Sequence, residues 1–134
     1  MPSLRQEVWQ RAKRRCEYCQ LPQALTVLPH ELDHIVALKH RGETSLDNLC
    51  LPCAQCNAFK GPNLAGRDPE TGQVTRLFDP RRDDWSEHFH WAGVVLAAST
   101  PLGRATVAVL NINAPERVQH RQLLRAAGLF PFTS

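Results

Sequence analysis

Four of the five cysteines fall into two tight pairs, Cys16-x-x-Cys19 and Cys53-x-x-Cys56, separated by a long insert. A C-x-x-C pair supplies two thiolates from one turn without straining the backbone, and two pairs complete the tetrahedron that zinc prefers. The second pair can also be framed as Cys50-x-x-Cys53. We take Cys53 and Cys56 as the ligands, which leaves Cys50 as a buried or half-buried thiol. A disulfide scaffold would need a secreted chain, and a redox C-x-x-C usually stands alone. The expectation is a structural Zn²⁺ held by Cys16, Cys19, Cys53 and Cys56. The insert is longer than a simple zinc ribbon requires, so further structure belongs between the pairs.

A chain of 134 residues suits one domain with a modest core, in which a metal staple contributes noticeably to stability. Ten prolines and seven glycines imply many turns. The net charge of +3 permits contact with phosphates without demonstrating it. No stretch approaches the roughly 20 apolar residues that span a bilayer. The N-terminus is polar where a signal peptide would be apolar, so a cytoplasmic protein with reduced thiols is expected.

Local signals sketch the elements. Ser3 can cap a helix over residues 4 to about 15, with Leu4, Val8, Trp9 and Ala12 on one side and Arg5, Arg11, Lys13, Arg14 and Arg15 on the rest. Extended segments are expected over 24–28 and 31–36, and a short helix over 54–60 ends at Gly61-Pro62. Residues 61–72 read as loop, and 73–78 and 93–98 as strands around a turn-rich aromatic stretch. Thr100-Pro101 opens a helix, and Asn113 with Glu116 resembles a capping box for a last helix ending near Gly128.

Within and beside the pairs stand Asp33-His34, then Asn48, then Asn57 in the frame Cys56-Asn57-x-x-Lys60-Gly61. Over residues 15 to 61 the chain resembles the HNH nucleases, whose ββα-metal motif runs DH, then N, then H or N. The resemblance implies an α+β fold: a zinc-stapled ββα-metal core (about 15–61) with an N-terminal helix and a C-terminal strand-and-helix extension (about 62–134). It implies a single HNH endonuclease domain over 1–134 that hydrolyses phosphodiester bonds, with double-stranded DNA as partner and nicking as the default for one active site. By the same resemblance, Asn48 holds the loop carrying His34.

Phosphodiester hydrolysis needs an activated water and charge relief on the phosphate and leaving oxygen. An imidazole, with an ordinary pKa of about 6.5, takes a proton from water near neutral pH, and His34 is the candidate base. Asp33 and Asn57 offer hard oxygen ligands, a set that favours Mg²⁺ or Mn²⁺ over softer ions. Glu31, His40, Arg41, Lys60, Arg81, Arg82, Arg104 and His88 are weaker candidates for contacts near the site. The alternative function is a non-catalytic zinc-knuckle module that binds nucleic acid, or a zinc module that docks a partner protein. The oligomeric state, monomer or homodimer, stays open.

Overall fold

Ser3 caps the first helix reciprocally: its Oγ accepts from Gln6 N at 3.1 Å, and Gln6 Oε1 accepts from Ser3 N at 2.8 Å. In the computed structural model, which describes residues 1–133, this helix, α1, spans Leu4–Arg11. It ends well before residue 15 because Lys13 and Arg14 take left-handed backbone, φ +55° and +58°, which cannot continue a right-handed helix. Val8 packs with Leu49 and Leu51, with Trp9, Ala12, Leu32 and Leu46 around them.

The expected ββα unit begins in the insert and takes in the second cysteine pair. Strand β1 (Asp33–His34) runs antiparallel to β2 (Leu49–Cys50), pairing Asp33 with Cys50 and His34 with Leu49. Helix α2 (Ala54–Lys60) follows, with Cys53 as its N-cap and Gly61, φ +49°, at its end. Residues 24–28 depart from the expected strand: Gln23–Leu25 is a 3₁₀ turn. The Gln23 side chain accepts from His30 N at 2.6 Å and donates to Leu28 O at 3.1 Å, closing this segment on itself instead of offering it to a neighbour.

The extension is built from hairpins and helices. Strands β3 (Ala65–Arg67) and β4 (Val74–Arg76) pair with each other. Helix α3 (Trp85–His88) leads into β5 (Phe89–Ala92), which pairs with β6 (Val95–Ala98). Segment 61–72 therefore holds a strand where loop was expected, and the two expected strands belong to separate hairpins. Helix α4 (Pro101–Val109) starts as its sequence predicts, with Thr100 Oγ1 accepting from Gly103 N at 3.2 Å. Helix α5 (Pro115–Ala126) does not use the expected Asn113 cap. Pro115 sets the first helical φ by itself. Asn113 instead brackets Leu96, accepting from its N at 2.9 Å and donating to its O at 2.8 Å.

One buried apolar cluster joins both parts. Cys16, Tyr18, Cys19, Cys53 and Cys56 share it with Phe78, Phe89, Leu96, Ala105 and Leu110 of the extension. Trp85 Nε1 donates to Tyr18 O at 2.8 Å, and Trp91 Nε1 to Gln20 Oε1 at 3.3 Å, so indoles of the extension are tied to the first knuckle. The aromatic stretch is thus core. Among the described residues, no helix is long and apolar enough to cross a membrane.

Candidate functional site

The sulfurs of Cys16, Cys19, Cys53 and Cys56 lie within 4.8 Å of one another, and all four residues are buried. A tetrahedron with Zn–S of about 2.3 Å has edges of about 3.8 Å, and Cys19 Sγ lies 3.8 Å from Cys53 Sγ. Backbone amides already point at these sulfurs: Cys19 N donates to Cys16 Sγ at 3.3 Å, and Cys56 N to Cys53 Sγ at 3.4 Å. The donor set therefore fits a structural zinc. Burial pushes the Cys16 and Cys56 thiols well up, so loading a metal here must expel protons.

Cys50 stands apart from the cluster, on β2 opposite Asp33, with its Sγ 3.7 Å from Tyr18 Oη. Burial pushes its thiol up to about 12, as expected for an inert core cysteine.

No motif or spacing marks the cation that stands beside the cluster. Arg117 of α5 is 3% exposed, and its Nη2 donates to Cys56 Sγ at 3.0 Å and reaches Cys53 Sγ at 3.8 Å. Its Nη1 donates to Leu110 O at 2.9 Å. Burial disfavours the guanidinium charge, but Cys56 and Cys19, once deprotonated, outweigh this and raise its pKa. Four thiolates around Zn²⁺ leave two negative charges, and Arg117 offsets one of them without leaving the core.

The second site lies on the insert. Asn48 is the last residue of a 3₁₀ turn (Leu46–Asn48), and its side chain is fully used. Oδ1 accepts from Val36 N at 2.9 Å, while Nδ2 donates to Val36 O at 2.9 Å and to Glu43 O at 2.8 Å. These bonds close the loop between β1 and β2 at both ends. Thr44, next to Glu43, is thereby held against His34, with Thr44 Oγ1 2.9 Å from His34 Nε2.

Gly42 makes the clasp possible, because a Cβ there would collide with Val36 O and sit 2.8 Å from Asn48 Nδ2. Gly42→Ala is expected to cost about 1–3 kcal/mol, the usual range for overpacking. Urea denaturation reads this directly. An unchanged midpoint would show that the loop closes without the clasp.

Asp33, the neighbour of His34, has an Oδ2 that is buried without a hydrogen-bond partner. Such an atom is costly unless something meets it, so an incoming cation fits this position. Asn57 lies one turn into α2, with its Nδ2 3.5 Å from Glu31 Oε2. Among the described residues, the only group of three or more His, Cys, Asp or Glu side chains close enough to share an ion is the cysteine cluster.

Several weaker candidates prove structural. Lys60 is buried and donates from Nζ to Ile35 O at 3.0 Å, bracing the strand behind His34 rather than facing solvent. Arg81 is paired with Glu17, whose other oxygen accepts from Leu51 N at 2.9 Å. Arg104 holds the buried Asp68 through two bonds of 2.9 Å, which keep that carboxyl well below the usual range. His88 meets Thr100 Oγ1 at 2.7 Å, and the buried His30 meets Leu21 O at 2.8 Å. His40, Arg41 and Arg82 are exposed.

Residues 16–62 match the family model described as HNH endonuclease. No curated protein and no solved structure matches the chain. The matched span begins at the first cluster cysteine, takes in the clasped loop and closes just after α2. Over residues 16–62 the chain is thus similar to HNH endonucleases, with four cysteines gathered as in a zinc site, a likeness that points to a nuclease-type function on nucleic acid.

Proposed function

We propose that this protein is a metal-dependent HNH endonuclease that hydrolyses phosphodiester bonds of DNA, nicking one strand per active site. The observation that carries this is the Asn48 clasp, which holds Thr44 2.9 Å from His34 Nε2 beside a carboxylate with an unpartnered buried oxygen. A non-catalytic zinc knuckle needs none of these groups.

In this proposal His34 donates from Nε2 to Thr44 Oγ1, which leaves Nδ1 as the lone pair that takes a proton from water. Asn48 acts through the loop, keeping Thr44, and so the imidazole, in one pose. Asp33 and Asn57 hold a single Mg²⁺ or Mn²⁺, which when bound supplies charge relief on the phosphate and the leaving oxygen. The buried contacts of the extension with the first knuckle support treating the whole chain as one nuclease domain.

The test is nicking of supercoiled plasmid by zinc-loaded protein, with Mg²⁺ or Mn²⁺ added or omitted. Open-circle product that requires the added ion, and that Asp33→Ala fails to form, is the expected result. Equal cleavage without the ion, or by the Asp33 variant, would overturn this ligand assignment.

A further inference from the structure

The chain's positive charge is concentrated at one end. Between residues 4 and 15 stand five Arg and Lys against Glu7, a surplus of four, while the whole chain carries +3. The rest of the molecule is therefore slightly acidic, and a polyanion meets attraction chiefly at α1 and the turn that follows.

Not all of these cations are available. Arg11 is spent on the domain itself, donating to Leu46 O at 2.9 Å and Leu49 O at 2.7 Å. Arg5 and Arg14 are exposed and make no ion pair among the described residues. Their guanidinium carbons instead lie 5.5 and 5.0 Å from the centre of the Trp9 ring. Arg14 reaches the ring because the left-handed turn at Lys13-Arg14 folds the chain back, with Arg14 N donating to Trp9 O at 3.1 Å. Arg5, Gln6, Trp9 and Arg14 line an open recess of about 280 Å³.

The stacking decides what such a recess can hold. His30 also lies against the indole, 6.2 Å away and 22° from parallel. Flanked by two guanidinium groups and an imidazole, Trp9 is no free platform for an unpaired base. It is a brace that positions two cations, whose in-plane N–H groups remain free for phosphate oxygens. The brace is fixed to the candidate catalytic unit, since Arg11 grips both ends of the Leu46–Leu49 segment that contains Asn48.

We infer that Arg5 and Arg14, braced on Trp9, form a docking surface for the phosphate backbone of duplex DNA, contacting it without regard to sequence. The choice of occupant rests on the nuclease function proposed above. The experiment measures binding of zinc-loaded protein to a labelled mixed-sequence DNA duplex across a salt series, with Mg²⁺ and Mn²⁺ omitted so that nothing is cut. Removing two phosphate contacts by Arg5→Gln with Arg14→Gln should reduce the slope of log affinity against log salt by about 1.8, and lower affinity at 0.1 M salt by about 50-fold. Arg5→Lys with Arg14→Lys should retain most of the slope.

A charge-matched pair of exposed residues elsewhere, Arg67→Gln with Arg125→Gln, should leave the slope near that of the wild type. An unchanged slope in the Arg5/Arg14 variant would overturn the assignment, as would an equal loss in the control pair. Tighter binding to single strands or duplex RNA would overturn the choice of partner. Absence of any nucleic-acid binding by the wild type would overturn the nuclease proposal along with this surface, whereas wild-type binding with an unchanged variant overturns the surface alone.

Discussion

The His34→Ala variant is expected to lose about 10²–10⁴-fold in plasmid nicking, the range that a positioned general base contributes. The effect should be confined to chemistry. The His34 side chain makes one hydrogen bond in the structure, to Thr44 Oγ1, and the residue is only half-buried on a two-residue strand. The clasp made by Asn48 to Val36 and Glu43 does not pass through the imidazole. Zinc content and the urea midpoint should therefore stay close to those of the wild type, and both are to be measured on the preparation used for the assay. Undiminished nicking by a pure variant would place the base elsewhere. A loss accompanied by unfolding would instead give His34 a structural role.

Cys56→Ser, or exhaustive removal of zinc from the wild type, is expected to unfold the domain rather than weaken it. Structural zinc in small domains contributes about 10–16 kcal/mol of apparent binding free energy at neutral pH, while the net stability of a domain is about 5–15 kcal/mol. Removing the first term exhausts the second. The damage should also spread beyond the knuckles, because without thiolates Arg117 is a buried cation facing neutral groups. Trp85 and Trp91, both tied to the first knuckle, report the loss through their fluorescence. Metal analysis of the same samples gives the zinc content. A Cys56→Ser protein that is zinc-free and retains a cooperative unfolding transition would overturn the staple.

What could be read in the sequence was whatever short-range chemistry dictates. The spacing of Cys16, Cys19, Cys53 and Cys56 specified the cluster, and Cys53 as N-cap of α2 shows why its frame prevails over Cys50. One helical turn brings Cys53 and Cys56 together, whereas Cys50 belongs to a strand paired with Asp33. Thr100-Pro101 and Gly61 marked helix ends through local backbone preference. The missed features depend on partners distant in sequence. β3 becomes a strand through β4, and Asn113 gave up capping for Leu96. Lys60 looked like a phosphate contact until Ile35 O occupied its ammonium. Thr44 and Gly42 carried no periodicity or motif that could single them out, since their importance lies in what Asn48 does to the loop.

The hydrogen bond from Arg117 to Cys56 also bears on how the matched span can be cut and pasted. The span 16–62 looks like a portable cassette, complete with its ligands and its DH, N and N residues. Yet its cluster borrows a counter-ion from a helix 61 positions downstream of Cys56. A graft of the cassette alone would export two surplus negative charges to a host without the guanidinium that answers one of them. Transplanting this span into another scaffold therefore calls for carrying α5 along, or for designing a buried cation against Cys56 in its new setting.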